Sequence, residues 1–138
     1  MLSDLWVGKY GPSSCFKNAP ASSGMGFDVY TKAVLTLDSS SKGSVEFSLY
    51  DDSDCSNLLD SGTTTLNYSI PSPNVMYFNQ NRGLPDEQIL YLVFVKYHDL
   101  LIIDVNNSGP YTDLDSAKSE VSGFLSNVGS RGAILPRQ

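Results

Sequence analysis

Few residues in this chain could carry out chemistry, and their spacing narrows what that chemistry could be. Two cysteines, Cys15 and Cys55, are the first candidates. They form no C-x-x-C pair, which argues against a thioredoxin-like redox role. A structural disulfide and two buried thiols both remain open. A bridge would close a loop of about 40 residues and add about 4 kcal/mol in the chain-entropy model. It is expected if the protein is exported and not if it stays in the cytoplasm. Asp51, Asp52 and Asp54 suggest calcium at first sight. An EF-hand loop, however, needs a glycine where Asn57 stands and a glutamate where Thr63 stands, so the segment reads as a solvated turn.

His98 is the only histidine. Nucleophilic catalysis would need it beside a Ser or Cys and a carboxylate. Asp99 adjoins it, but sequence neighbours point apart, and no G-x-S-x-G elbow occurs. One histidine without ligand spacing gives no metal site either. Asp28 or Glu46 could do acid–base work inside a barrel, yet neither belongs to a defined pair. The expectation is a protein that is not an enzyme and needs no cofactor.

The elements that would position these groups come from hydrophobic patterning. The most apolar stretch is 88–105, QILYLVFVKYHDLLIIDV, which reads as two strands around a turn at His98-Asp99. Its first strand is apolar on both faces, with Ile89, Tyr91, Val93 and Val95 on one and Leu90, Leu92 and Phe94 on the other. Both faces need cover. Tyr91 and Val93 are expected to face inward. Strict alternation marks a strand at 28–37 and another at 45–50, joined through the turn 38–43. Shorter strands are expected at 5–10, 56–61, 63–70 and 75–79, with Pro71 and Pro73 ending the third of these. Residues 12–26 show no periodicity and read as a long loop, a candidate lid. A further loop covers 79–87, and a turn covers 106–110.

A helix follows, capped by Thr112 or Asp113 and running to about Ser126. Leu114, Ala117, Val121, Phe124 and Leu125 form its apolar stripe, and Gly129 is its expected stop. Residues 131–135 could add a last edge strand. The expected fold is mainly β, an antiparallel up-and-down barrel of seven to nine strands in a single domain over 1–138, with this C-terminal helix packed outside.

Composition bounds the partners. With 17% charged residues, the surface must be solvated largely by Ser, Thr, Asn and Gly, as is common in turn-rich β domains. The net charge of −6 and a pI near 4.4 leave no basic cluster for nucleic acid. No run is long and apolar enough for a membrane span. The N-terminus lacks the basic start and apolar core of a signal peptide. The expected location is therefore the periplasm or outside the cell if a signal was removed, and the cytoplasm otherwise. Eight Tyr, six Phe and one Trp are available to line an interior. Trp6, Tyr30, Phe47, Tyr68, Tyr77, Tyr91 and Val93 are the candidate ligand-binding residues.

Two segments carry a resemblance. Leu5-Trp6-Val7-Gly8-Lys9-Tyr10 leads to Cys15, and Phe47-Ser48-Leu49-Tyr50-Asp51-Asp52-Ser53-Asp54 leads to Cys55. Together they resemble small bacterial lipocalin-like (calycin-type) barrels, which pair a G-x-W/Y strand and an early Cys with a later Y-x-D-x-x-C-like run. Gly8-Lys9-Tyr10 is similar to the lipocalin G-x-W. The likeness covers about the first 60 residues. It implies an up-and-down barrel whose mouth admits a small apolar ligand, with Arg131 as the basic residue over the N-terminal aromatic. The leading functional expectation is non-enzymatic binding of such a ligand. The alternative is a surface interaction or inhibitor module, with a homodimer as one form.

Overall fold

The computed structural model describes residues 7–17, 29–38, 41–81, 83–85, 87–105 and 111–138. The described elements are β1 (Gly8–Tyr10), β2 (Phe16–Lys17), β3 (Tyr30–Leu37), β4 (Lys42–Tyr50), β5 (Leu58–Ser72), β6 (Val75–Gln80), β7 (Gln88–Tyr97), β8 (Leu100–Asp104), α1 (Leu114–Leu125), α2 (Val128–Arg131) and β9 (Gly132–Pro136). The strands pair antiparallel in the order β1-β3-β4-β5-β6-β7-β8-β9, with β2 beside β3. The chain thus forms a nearly closed antiparallel barrel with α1 packed on its outside.

The N-terminal run closes it. Tyr10 bridges Arg137, the Gly11 N–H donates to the Pro136 carbonyl at 2.7 Å, and the Gln138 N–H donates to the Lys9 carbonyl at 2.8 Å. On its other side the same run pairs with β3, Gly8 opposite Leu37 and Tyr10 opposite Leu35. The seam between β7 and β8 is looser. Only residues 94–97 of β7 pair with β8, and Tyr91 is met instead by Tyr111 through two backbone bonds of 2.8 and 2.9 Å.

The two barrel ends differ. One carries the short connections 38–41, 73–74 and 98–99, together with β1 and the C-terminus. Among the described residues of these connections, Ser41, Asn74 and His98 have positive φ. Asn and His tolerate that region better than most side chains. His98 is accordingly a turn residue, with its ring against Tyr97 at a centroid distance of 4.3 Å. The other end carries the longer connections, of which residues 51–57, 81, 83–85, 87, 105 and 111–131 are described.

Several expectations need correction. Residues 58–72 form one strand rather than two. Pro71 does not end it, because the register shifts between Ser69 and Ser72 and a bulge removes the need for its missing N–H. Phe16 and Lys17, read as loop, form the short β2. Asp113 is the N-cap, accepting the Ser116 N–H at 2.8 Å, and α1 ends at Leu125 with Ser126 as its C-cap, as expected, but Gly129 is not the stop and lies inside the separate α2. Leu125 is 45% exposed, so the apolar stripe ends at Phe124. Trp6, Asp28, the turn 106–110 and most of the loop 12–26 lie outside the described residues.

Two cross-links hold the long-connection end. Cys15 and Cys55 are bridged, tying the run after β1 to the β4–β5 hairpin. Asp104 at the end of β8 is buried and takes Arg131 in a forked contact, Nη2 to Oδ2 at 2.8 Å and Nε to Oδ1 at 3.3 Å. Its Oδ2 also accepts the Tyr111 hydroxyl at 3.2 Å. Tyr111 precedes α1 and Arg131 ends α2, so one carboxylate fixes both ends of the helical connection. Two outcomes follow. Cys15→Ser/Cys55→Ser is expected to lower unfolding stability by about 4 kcal/mol in urea titration. Arg131→Ala is expected to cost about 3 kcal/mol in the same assay, because it leaves the Asp104 charge buried without its ion pair.

Candidate ligand-binding interior

Strand alternation sorts every inward side chain. From β3 come Thr31, Ala33, Leu35 and Leu37, all buried. Opposite them on β4 stand Leu49, Phe47, Val45 and Gly43. Leu66, Tyr68, Met76, Phe78 and Phe94 continue the same face around the barrel, and Leu101 and Leu135 bring it to Tyr10.

The most deeply buried inward side chains lie toward one end. Tyr10, Leu37, Met76, Phe94, Leu101 and Leu135 are each under 2% exposed and gather toward the short connections. The Tyr10 hydroxyl is buried with no hydrogen-bond partner, and burial raises its pKa, opposed by Arg137 and reinforced by Asp99. A Cβ added to Gly8 would fall 3.1 Å from Arg137 Nε, so the Arg137 side chain lies across the bare backbone of Gly8. Arg137, rather than Arg131, is thus the basic residue beside the Gly8-Lys9-Tyr10 motif. Arg131 is taken by Asp104, which also raises its pKa. Toward the long connections the packing loosens. Phe47, Leu49, Leu90, Leu92 and Ile103 face inward yet remain only partly buried; Val45 and Ile70, nearer the short connections, are partly buried too. Gly62 makes room for the Phe47 ring, since a Cβ there would fall 2.8 Å from its Cζ.

The seven candidate residues scatter. Phe47 and Tyr68 face the interior. Tyr68 is 2% exposed, and its hydroxyl donates to the Asp38 carbonyl at 2.8 Å. Tyr30 is on the opposite face of β3 from the buried row. Tyr77 and Tyr91 stand side by side outside the barrel, ring centroids 5.4 Å apart. Val93 is buried beneath α1 with Val75, Ile102, Ala117 and Phe124. Trp6 is outside the described residues. The expectation that Tyr91 and Val93 face inward is therefore reversed.

Shape explains the reversal. β-branched Val75, Val93, Val95 and Ile102 make a flat bed for the helix. The longer Met76, Leu92, Phe94 and Leu101 reach toward the barrel axis. Val45, Ile70 and Ile103 also face the interior; alternation along β4 and β5 marks the first two in the sequence, whereas β8, apolar on both faces, carries no such signal for Ile103.

The charged groups near the long connections serve their own loops. Asp52 accepts the Ser56 hydroxyl at 2.6 Å and the Asn57 N–H at 2.9 Å, and these bonds lower its pKa. Asp51 accepts the Asn57 side-chain amide at 2.8 Å. Glu46 is exposed on the outer face of β4. Toward the long connections the inward face thus combines the carbon side chains of Phe47, Leu49, Leu90, Leu92 and Ile103 with the polar Thr31, Asp60, Thr64, Gln80 and Gln88, which alternation and register place on the same face. Compared with known proteins, the chain matches no family model, no curated protein and no solved structure.

Proposed function

We propose that this barrel is a non-enzymatic binder of a small, largely apolar molecule, held in the loosely packed half of its interior. The carrying observation is the partial exposure of Phe47, Leu90, Leu92 and Ile103, which face inward among buried neighbours. Apolar surface that water still touches gains about 25 cal/mol per Å² when a ligand covers it. Lining of this kind suits a ligand with few polar groups.

Other features support the reading. His98 sits in a tight turn at the filled end, and Glu46 points outward, so neither flanks the proposed site. The Cys15–Cys55 bridge fits an oxidising compartment such as the periplasm or the extracellular space. The charge of −6 disfavours nucleic acid as a partner. Among the described residues no helix is long and apolar enough to cross a membrane. A second reading, interaction through the surface, is favoured by Leu58 and Leu59, which are 57% and 42% exposed on the β4–β5 hairpin.

Titration with the apolar dye Nile red tests the interior directly. Saturable fluorescence enhancement is expected for the wild-type protein. Leu92→Trp and Leu90→Trp, which fill the space, should weaken it about tenfold or more, whereas Tyr77→Phe, outside the barrel, should not. No dye uptake by the wild type, or undiminished uptake by both tryptophan variants with native circular dichroism, would reject the reading.

A further inference from the structure

Tyr10 carries a buried hydroxyl with no hydrogen-bond partner among the described residues. The residue is 0% exposed, and its pairing with the buried Leu35 sets the ring on the inward face of the barrel. Leu37, Met76, Phe94, Leu101 and Leu135 belong to the same core. None of these side chains has a hydroxyl, an amide or a charge. Tyr68 shares the core, but its hydroxyl donates to the Asp38 carbonyl. A buried water needs several polar partners, which these side chains do not supply. An unpaired buried donor costs the fold stability, and it stays available to any acceptor that reaches it.

Small side chains separate Tyr10 from the lining of the proposed ligand site. On β3, the inward position next to Leu35 and nearer the long connections is Ala33. On β9, the inward position next to Leu135 on that side is Ala133. Ala33 pairs with Phe47, and Ala133 pairs with Ile103. Phe47 and Ile103 are two of the partly buried residues of that lining. The strands on either flank of Tyr10 thus lead from it to the lining through alanine methyl groups.

We propose that the Tyr10 hydroxyl donates to a carbonyl oxygen of the bound molecule, which is then an apolar chain or ring system with a neutral ketone, aldehyde or ester at its inner end. The contact rests on the reading that a ligand occupies the interior. A neutral acceptor fits better than a carboxylate, because a charge buried among carbon side chains needs an ion pair. Arg137, beside Tyr10, is exposed, and its backbone N–H is bonded to Asp99, whose charge is of opposite sign.

Binding of n-octane and of methyl hexyl ketone, measured by headspace gas chromatography over the protein solution, tests this. Both are expected to bind. Tyr10→Phe should weaken the ketone about fivefold and leave octane unchanged. The same variant should raise the midpoint of urea unfolding, because it removes a buried hydroxyl that has no partner. With the wild-type protein, the isotopically labelled carbonyl carbon of the bound ketone should resonate downfield of its position in hexane, a signature that needs no variant. Failure of both molecules to bind rejects the occupied interior, and the Tyr10 contact with it. Binding of octane, with a ketone affinity indifferent to Tyr10→Phe or an unshifted carbonyl resonance, rejects the Tyr10 contact alone. A lowered urea midpoint for Tyr10→Phe would give the hydroxyl a structural role and overturn the proposal. Tighter binding of octanoate than of the ketone would overturn the neutral acceptor.

Discussion

The architecture depends on one strand-poor segment being held from both sides. β1 is three residues long, yet the run from Gly8 to Ser14 bonds to β3 on one flank and to the end of β9 on the other. Ser13 is buried and pairs twice with Ala33, its N–H donating to the Ala33 carbonyl at 2.8 Å and its Oγ accepting the Ala33 N–H at 2.9 Å. Without this run the sheet would end in two free edges, at β3 and β9, and the apolar face of the sheet would have nothing to close against. With it, Tyr10 and Leu135 join the same buried core.

Closure then decides how the rest is covered. β6, β7 and β8 are apolar on both faces, so one face fills the barrel and the other needs a second layer. α1 is that layer. It is a modest helix, with Ala117 and Phe124 as its buried residues and Leu114 and Val121 partly covered. Its position is set largely by its ends. Asp104 holds Tyr111 before the helix and Arg131 after it, so a single buried carboxylate orients the whole connection.

The two ends contrast in burial, and the proposed ligand site rests on that contrast. Tight turns and the chain termini plug one end with large side chains. Toward the long connections the inward side chains are only partly buried, and the disulfide and the Asp104 cluster are placed there. That arrangement keeps the loosely packed region framed by cross-links rather than by core. The β4–β5 hairpin also extends past β6, so that among the described residues 58–64 of β5 pair with β4 alone.

Much of the fold was legible in the sequence because its signals are local. Period-two alternation marked β3 and β4, the double-faced apolar run marked β7, and Asp113 followed by apolar residues at helical spacing marked α1. The turn at His98-Asp99 was readable for the same reason. The cysteine pairing was open by sequence, since spacing alone does not bring two thiols together. Non-local facts were decided by tertiary structure. Which face of β7 looks inward depends on the partner of each face, and the helix takes the flat valine face while the leucines go to the axis. Pro71 is accommodated by a bulge that exists only because β6 pairs across it. Arg137 lies over Gly8 because closure brings the last residues beside the first strand. Composition and alternation determined that this chain makes an antiparallel barrel with an apolar interior. Which side chains share the inward face, and where each pairing ends, was settled only by strand register, because register fixes which residues stand opposite one another.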